Sequence, residues 1–273
     1  MDAWSVVVER RIDTDSSILL FGRSGAQPVV LKLARQRGDE WASGPVLRAF
    51  GGIGVVHALD YAEGAVLLEQ LRPGDSLASL TLEGNDDQAT GMLAQIIGKM
   101  APAELPGAVP TIEDWGRGFE TYTVSGDHRI PASLVEAARQ VHARLCASQG
   151  RPRLLHGDLH HYNVIRDAKR GWVAIDPKGA LGEPEYEVGA AFRNPFERLE
   201  LFTAPAVILR RADRFARELD MDVQRILGWA FAQAVLAAVW AVEDGQPVGA
   251  DDARLVLARN IRSMLSGLPT AAS

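Results

Sequence analysis

The chain has 273 residues, of which 47% are hydrophobic and 23% are charged, and its formal net charge is −6. A chain of this length buries roughly three quarters of its unfolded surface and needs no disulfide or metal to fold. Its composition excludes a disordered or fibrous protein. The acidic balance, without a Lys or Arg block, argues against nucleic-acid binding and suits a cationic partner better. The single cysteine, Cys146, excludes an intramolecular disulfide and is typical of a buried, inert thiol.

No segment of the sequence predicts export or membrane insertion. The N-terminal residues MDAWSVVVERRID lack the apolar core that an export signal requires. The most apolar run, residues 229–242, is shorter than a bilayer-spanning helix and contains Gln233. We therefore expect a cytoplasmic protein without membrane contact.

Three strand-like segments at the start of the chain predict an antiparallel meander. They are WSVVVER, SSILLFG and PVVLKLA, separated by polar or glycine-containing turns. The third places Lys32 between apolar neighbours. One interpretation is a snorkelling lysine at the sheet edge. The other is a phosphate-binding lysine on a third strand, as in the kinase sequence V-A-I-K, and the strand order favours it.

Residues 39–50 predict a short helix after this meander. Glu40 or Asp39 in its first turn would place a carboxylate near the Lys32 ammonium group. Because the connection is only eight positions long, an exposed acid that interacts with the helix dipole is the simpler interpretation.

A strand GVVHAL and then the segment AVLLEQLRPGDSL follow this helix. The second segment leaves the sheet through a Pro-Gly turn at Pro73 and Gly74. In a two-lobed enzyme this segment is a hinge. We expect its backbone from Glu69 to Leu71 to contact an adenine.

Beyond the hinge, the hydrophobic period changes from two residues to about 3.6, which predicts helices. We expect them at residues 86–100, 112–122, 132–148, from 205, 222–244 and 251–265. The expected fold class is α+β, with a strand-rich N-terminal lobe at residues 1–72 and a larger helical lobe at residues 73–273.

Residues 154–179 carry the residues with the clearest chemistry. Asp158 and Asn163 have the D-x-x-x-x-N spacing of a kinase catalytic loop, and Asp176 ends the following strand WVAID. Phosphoryl transfer needs a carboxylate that orients the attacking hydroxyl. It also needs oxygen ligands that hold magnesium against the nucleotide phosphates.

The three histidines of this stretch also raise the possibility of zinc. His156 and His160 have the i, i+4 spacing of zinc ligands on a helix, with His161 beside them. However, Gly157 between them is a poor helix former, and no Glu follows the first histidine. Phosphoryl transfer explains more of the residues than zinc does.

The motifs of this stretch resemble the aminoglycoside phosphotransferases, a family with a protein-kinase-like fold. HGDLHHYN resembles the family motif H-G-D-x-x-x-x-N, and AIDPKGALGEPEYE resembles I-D-P…G-[DE]-P. Together LLHGDLHHYNVI, GWVAIDPKG, VLRAFGG and LLEQLRPG resemble the streptomycin and hydroxyurea phosphotransferase branch. The resemblance extends from Lys32 to about Asp244 and implies two lobes with ATP and Mg as cofactors.

This resemblance implies a role for each matching residue. Asp158 would be the catalytic base or the group that positions the hydroxyl. Asn163 and Asp176 would be the magnesium ligands, and Lys32 would bind the nucleotide phosphates. His160 occupies the place of a kinase lysine that faces the transferred phosphate, with a structural hydrogen bond as the alternative.

Two departures from protein kinases accompany the resemblance. The loop RIDTDSS lacks a glycine-rich sequence, so the hydroxyls and backbone amides of Ser16 and Ser17 would cover the phosphates. Gly157 replaces the Arg of H-R-D, so control by activation-loop phosphorylation is not expected. His156 would then bond to the backbone near Asp176.

Acidic residues in the C-terminal half predict where the acceptor binds. They are Glu183, Glu185, Glu187, Glu197, Glu200, Glu243, Asp244, Asp251 and Asp252. Solvated helix ends and caps are the simple interpretation of most of them. The functional hypothesis is a carboxylate-lined cleft for guanidinium or ammonium groups, with Glu187, Glu243 and Asp244 as ligands. Alternatively, Glu187 braces the catalytic loop.

We therefore predict a monomeric, ATP- and Mg-dependent O-phosphotransferase that acts on a hydroxyl of a cationic small molecule. An aminoglycoside such as streptomycin is the expected acceptor. Two alternatives stay open: a sugar or metabolite kinase of the same fold, and a nucleotide-binding regulatory module without a working acceptor site.

Overall fold

The structure is a computed structural model that describes residues 4–267, apart from residues 101, 103, 104 and 108. Its N-terminal part is a five-stranded antiparallel sheet with the order β1-β2-β3-β5-β4. These strands are β1 (Val6–Asp13), β2 (Ser17–Ser24), β3 (Gln27–Ala34), β4 (Ala58–Ala62) and β5 (Ala65–Glu69). The predicted three-strand meander is therefore confirmed, with Lys32 on β3 opposite Leu19 on one side and Val66 on the other.

The predicted helix after the meander is also present. A 3₁₀ turn (Asp39–Ala42) leads directly into helix α1 (Ser43–Phe50). The predicted strand at residues 54–59 is displaced, because β4 begins only at Ala58. Its first residues bond instead to the C-terminal part of the chain: Val56 N–H donates to Ala174 O at 2.8 Å, and Ala174 N–H donates to Gly54 O at 2.9 Å.

The chain crosses to a second sheet after β5. Strand β6 (Pro73–Ser76) joins the hairpin of β8 (Val164–Asp167) and β9 (Gly171–Ala174), in the order β6-β8-β9. This hairpin confirms the two strands predicted within residues 154–179. We keep residues 72 and 73 as the proposed lobe boundary; residues 1–3 and 268–273 of the two lobes lie outside the described residues.

An arginine on this hairpin contacts the N-terminal part of the chain at two places. Arg170 donates to Val55 O at 2.8 Å and to Gly52 O, both in the loop after α1. It also pairs with the Glu69 carboxylate at the end of β5. The loop after α1 and the end of β5 are therefore held by one side chain.

The predicted helices of the C-terminal part are confirmed to within a few residues. They are α3 (Asp86–Lys99), α4 (Ile112–Ser125), α5 (Ala132–Ala147), α8 (Pro205–Leu219), α9 (Val223–Glu243) and α10 (Ala253–Gly267). Shorter elements escaped prediction because they have too few residues to show a period. They are α2 (Ala78–Leu82), β7 (Arg153–Leu155), β10 (Ala180–Gly182), α6 (Pro184–Glu187), the 3₁₀ segment Val188–Arg193 and α7 (Leu199–Phe202).

Helix α9 is the central core helix. It has 21 residues and is long and apolar enough to span a membrane. The apolar run at residues 229–242, from which we expected no membrane span, is only part of this helix. However, 78% of its most apolar window is buried inside the protein, as in the core helix of a soluble protein. It packs against α4, α5, α8, α10 and the 3₁₀ segment before α7.

A buried ion pair joins the start of α3 to α8. Arg211 is 1% exposed and Asp86 is 4% exposed, and Arg211 Nη2 lies 2.5 Å from Asp86 Oδ1. The same guanidinium donates to Ala191 O at 2.7 Å and Asn194 O at 2.8 Å, on either side of Arg193. Removing one partner of such a pair leaves an uncompensated charge in the core.

We expect Asp86→Ala to lower the free energy of unfolding by roughly 3–5 kcal/mol, because it strands the Arg211 charge in the core. Asp87→Ala is the matched control, since its carboxylate is half exposed and pairs with Arg214 at the surface. The control should cost less than about 1 kcal/mol. Urea unfolding measures both values, and equal losses would contradict the prediction.

Candidate active site

The loop between β7 and β8 holds Asp158 and Asn163 and is braced by Glu187. Glu187 is 3% exposed, and its carboxylate accepts hydrogen bonds from His156 N–H at 2.6 Å and Gly157 N–H at 3.0 Å. Burial raises the pKa of Glu187 to about 7, although the two N–H groups oppose this effect. The carboxylate therefore stabilises the catalytic loop from behind.

This placement contradicts the prediction that Glu187 contacts the acceptor. Both of its oxygens are used by backbone N–H groups, and the side chain is buried. The alternative interpretation, a brace for the catalytic loop, agrees with the geometry.

His156 holds the two halves of the site together. Its Nε2–H donates to Ile175 O at 2.8 Å, next to Asp176, while its Nδ1 accepts from Asp158 N–H at 3.4 Å. Burial lowers the pKa of His156 to about 4, so the ring is neutral, as this pattern of donor and acceptor requires. His156 thus has the structural role predicted for it.

Gly157 satisfies a geometric requirement of the loop. Its φ is +83°, and a Cβ there would lie 2.7 Å from Trp115 Cη2. This conformation and the lack of space explain why glycine stands where protein kinases carry arginine. Within the described part of the chain, no three or more His, Cys, Asp or Glu side chains form a metal-binding group, so the zinc interpretation gains no support.

Asp158 lies among positive charges. Arg193 Nη2 is 3.1 Å from Asp158 Oδ1, and His160 Nε2 is 3.7 Å from Oδ2. Burial alone would raise the pKa of Asp158, but His160, Arg193 and Lys178 together hold it well below its usual range. Arg193 keeps its charge at every accessible pH, so the Asp158 carboxylate is ionised.

Asn163 and Asp176 meet where the hairpin returns to the loop. Asn163 O accepts from Ile175 N–H at 2.8 Å, and the Asn163 amide nitrogen donates to Asp158 O at 2.9 Å. The amide oxygen is then the atom available as a ligand. Asp176 has a φ of +61°, a strained conformation typical of functional sites. An amide and a carboxylate oxygen are hard donors, so these residues fit magnesium.

Lys32 is 7% exposed and contacts two carboxylates. Its Nζ lies 3.1 Å from Glu40 Oε2 and also pairs with Asp176. Glu40 is therefore a carboxylate partner of Lys32, although only eight positions separate the two residues. The side chain of Asp39, the other candidate, lies outside the described part. The snorkelling interpretation of Lys32 is wrong, because its ammonium group points into the site and not to solvent.

The structure separates the two serines of the β1–β2 turn. Ser16 is exposed at the turn. Ser17 is 3% exposed, and its hydroxyl lies 3.0 Å from Thr14 Oγ1. The expected contact of the Ser17 hydroxyl with phosphates is therefore contradicted, while the role of Ser16 stays a prediction.

The proposed hinge residues run from the end of β5 towards β6 in the second sheet. The carboxylate of Glu69 is used by Arg170 and by His57 N–H, and its own N–H donates to His57 O at 3.1 Å. Leu71 is 7% exposed. The backbone contact of Glu69 and Leu71 with an adenine stays a prediction.

A cleft of about 760 Å³ opens beside Asp158 and His160. Its acidic residues from the C-terminal helices and loops are Asp244, Asp251 and Asp252. Glu243 is exposed on the last turn of α9 and is not among the lining residues, so its predicted acceptor contact is contradicted.

The remaining acidic candidates lie elsewhere. Glu183 is buried and pairs with Arg225 and Trp229. Glu185 lines a different surface groove. Glu197 is exposed outside the cleft, and Glu200 pairs with Arg198 at the surface. Helix-end and structural interpretations therefore hold for these four.

Three residues of the site were not predicted. Arg193 contacts Asp158 across 35 positions, and Gln233 accepts from Arg193 Nη1 at 3.2 Å from the middle of the apolar helix α9. Lys178 Nζ lies 3.4 Å from Glu40 Oε1. The one available signal was the polar Gln233 in an otherwise apolar run, which a buried partner explains.

The paired lysine, the braced Asp–Asn loop and the second Asp after a hairpin define a phosphotransferase with a protein-kinase-like fold. Solved structures share this α+β fold. A variant of aminoglycoside phosphotransferase APH(4)-Ia, in a complex with ADP and hygromycin B, has a TM-score of 0.67 and 16% identity, covering 98% of this chain and 97% of that chain. Choline kinase LicA from Streptococcus pneumoniae has a TM-score of 0.61 and 16% identity, covering 98% and 96%.

The family is shown by the sequence comparisons. The profile of the aminoglycoside/hydroxyurea antibiotic resistance kinases matches residues 4–245, and the chain belongs to this family. Streptomycin 3''-kinase of Klebsiella pneumoniae is 31% identical, covering 90% of this chain and 92% of the relative. Streptomycin 6-kinase of Streptomyces griseus is 31% identical (82% and 74%), and hydroxyurea phosphotransferase of Kitasatospora aureofaciens is 29% identical (76% and 61%). The predicted branch and the small-molecule kinase activity are confirmed.

The ion pair with Arg193 makes a prediction about pH. Arg193→Met should raise the pKa of Asp158 by about 1–3 units, because the ionised carboxylate loses its permanent cationic partner. The acid limb of kcat/KM and the titration of the Asp158 carboxyl carbon resonance should both move to higher pH. Arg193→Lys, which keeps the charge, should shift them less. An unchanged Asp158 titration in Arg193→Met would contradict this electrostatic role.

Proposed function

We propose that the protein is a cytoplasmic, monomeric O-phosphotransferase that uses ATP and Mg to phosphorylate a hydroxyl of an aminoglycoside such as streptomycin. One observation carries the proposal: Asp158 lies between two chemically different regions. On one side are Lys32, Glu40 and Asp176, and on the other is an acidic cleft. A phosphate donor and a cationic acceptor would meet at this carboxylate.

The nucleotide side has the charges that ATP requires. Lys32 would bind the phosphates and is oriented by Glu40. The backbone of Glu69 and Leu71 would bind the adenine, and Ser16 would cover the phosphates. Asn163 and Asp176 would hold Mg, which neutralises phosphate charge during transfer.

Asp158 would orient the acceptor hydroxyl and accept its hydrogen bond. The carboxylate is ionised beside Arg193, and its backbone is fixed by the Glu187 brace and by Asn163. Positioning by a rigid loop accounts for most of the catalysis expected of a phosphotransferase. His160 lies beside the same carboxylate, and its Nδ1 accepts a hydrogen bond from Tyr162 N–H within the loop.

The acceptor cleft is suited to a cation. Its lining contains four carboxylates and the two guanidinium groups of Arg193 and Arg254. With histidine neutral, the lining therefore has a net formal charge of −2. Asp158 pairs with Arg193 and Asp252 pairs with Arg254, so the excess charge belongs to Asp244 and Asp251. A guanidinium or ammonium group of the acceptor would pair with this excess charge.

An aromatic surface adds to the fit of a sugar-like acceptor. Phe196 is 61% exposed, lines the cleft and stacks on Tyr162 of the catalytic loop, with ring centroids 4.9 Å apart. Ring faces of this kind cover the apolar faces of cyclic polyols while carboxylates bind their amino groups. The names of the streptomycin kinases among the relatives support this acceptor class. A non-catalytic module is disfavoured, because Lys32, Asp158, Asn163 and Asp176 are all present.

Asp158→Ala should reduce kcat by roughly 10²–10⁴-fold, because the hydroxyl loses its orienting carboxylate. ATP affinity should change little. ADP release with streptomycin, other aminoglycosides, hydroxyurea, simple sugars and amino alcohols measures turnover of the wild type and identifies the acceptor. Retained turnover in the variant would rule out this role of Asp158, and turnover of simple sugars alone would rule out the aminoglycoside.

Neighbouring residues at the end of α9 provide a matched test of the cleft. Asp244→Asn should raise the acceptor KM by about tenfold, since it removes one charge-assisted contact, and should leave the ATP KM alone. Glu243→Gln removes the same charge one position away, outside the cleft lining. It should change neither KM by more than about twofold. If both variants raise the acceptor KM equally, long-range charge and not the cleft explains acceptor binding.

A further inference from the structure

Lys178 spans the gap between the catalytic loop and the N-terminal part of the chain. Its backbone N–H donates to His156 O at 2.9 Å, and the N–H of Gly179 donates to the same oxygen at 3.0 Å. These bonds hold the backbone of Lys178 beside His156, which lies two positions before Asp158. Its side chain reaches across to Glu40, with Nζ 3.4 Å from Oε1. The ammonium group therefore lies where the two parts of the chain face each other.

The residue after Lys178 makes this reach possible. Gly179 has a φ of +79°, and a Cβ there would lie 2.5 Å from Val46 Cγ2 on α1. Only glycine allows the backbone to approach α1 this closely. Lys178 is consequently held near the helix that follows Glu40.

The ion pairs around Lys178 connect it to the proposed phosphate site. Glu40 is shared by two ammonium groups, because Lys32 contacts Oε2 and Lys178 contacts Oε1. Lys32 also pairs with Asp176 at the proposed metal site. The shared Glu40 carboxylate therefore places the Lys178 ammonium group beside the lysine proposed to bind the phosphates.

His160, the residue first expected to face the transferred phosphate, is committed to the loop. Its Nδ1 accepts from Tyr162 N–H at 3.3 Å, and its Nε2 lies 3.4 Å from the Asn163 amide nitrogen. A ring held in the loop through Nδ1 has less freedom to follow a moving phosphoryl group than a lysine side chain has. A lysine has three donors on a flexible chain and retains its charge.

We propose that Lys178 is a catalytic residue whose ammonium group contacts the transferred γ-phosphoryl group. The inference rests on the proposed ATP-dependent reaction. In that reaction the bond between the γ-phosphorus and the β,γ-bridging oxygen of ATP breaks, and a bond from the γ-phosphorus to the acceptor oxygen forms. The hydroxyl proton leaves towards Asp158. Lys178 stays protonated throughout and neutralises charge on the γ-phosphoryl oxygens.

The test compares two nucleotides that differ in the γ-phosphate. In Lys178→Met, the Kd of AMP-PNP should rise about tenfold while that of ADP stays within about twofold, because only AMP-PNP carries the group that Lys178 contacts. The kcat should fall by about 10²-fold or more. Lys178→Arg, which keeps the charge, should restore the AMP-PNP affinity to within about threefold of the wild-type value.

Two controls separate this contact from a structural role. Lys169→Met removes an exposed lysine from the β8–β9 turn and should change neither Kd. Lys32→Met should weaken both nucleotides, because Lys32 is expected to bind phosphates that ADP also carries. Equal weakening of ADP and AMP-PNP in Lys178→Met, or none, would overturn the proposal. These measurements need no acceptor, so a wrong acceptor leaves them intact; a wild-type protein that binds neither nucleotide would overturn the ATP-dependent function instead.

Discussion

The pairing of Lys32 with Glu40 and Asp176 is the interaction on which the rest of the site depends. It joins a strand, a 3₁₀ turn and the segment after a hairpin, which are far apart in sequence. An ammonium group buried to this extent is tolerated only with anionic partners. The same two carboxylates lie at the proposed nucleotide and metal site, so the contacts that offset burial also orient the lysine that is proposed to bind the phosphates.

The catalytic loop is supported by groups that take no part in the reaction. Glu187 and His156 bind only backbone, and Gln233 reaches Arg193 from the core helix α9. Arg211 holds the carbonyls on either side of Arg193 while it pairs with Asp86. A single carboxylate is thus oriented by layers of polar groups that extend into the core, as preorganised catalysis requires.

Sequence patterns predicted the elements whose signal is local. Long amphipathic helices, the strand meander, and the Asp158 and Asn163 spacing all depend on neighbouring positions. The residues that escaped prediction act through tertiary contacts: Arg193 reaches Asp158 only because a 3₁₀ segment packs against α9. Glu187 and Glu243 were misplaced for the same reason, since neither spacing nor charge distinguishes a buried brace or an exposed helix end from a cleft carboxylate.

Arg170 and the backbone bonds of residues 54–56 bear on how the two parts of the protein can move. The loop after α1 and the end of β5 are both attached to the same hairpin. The ion pairs of Lys32 with Asp176 and of Lys178 with Glu40 also join the two parts. When these pairs separate, the N-terminal sheet would tilt about a line through the two attachments of the hairpin. Such a tilt would move the β1–β2 turn with Ser16 more than the backbone near Glu69, because Ser17 pairs with Ala34 and Glu69 pairs with Val29 at the other end of β3. An adenine bound near Glu69 would then move little during such a tilt, while the β1–β2 turn would move towards or away from the phosphates.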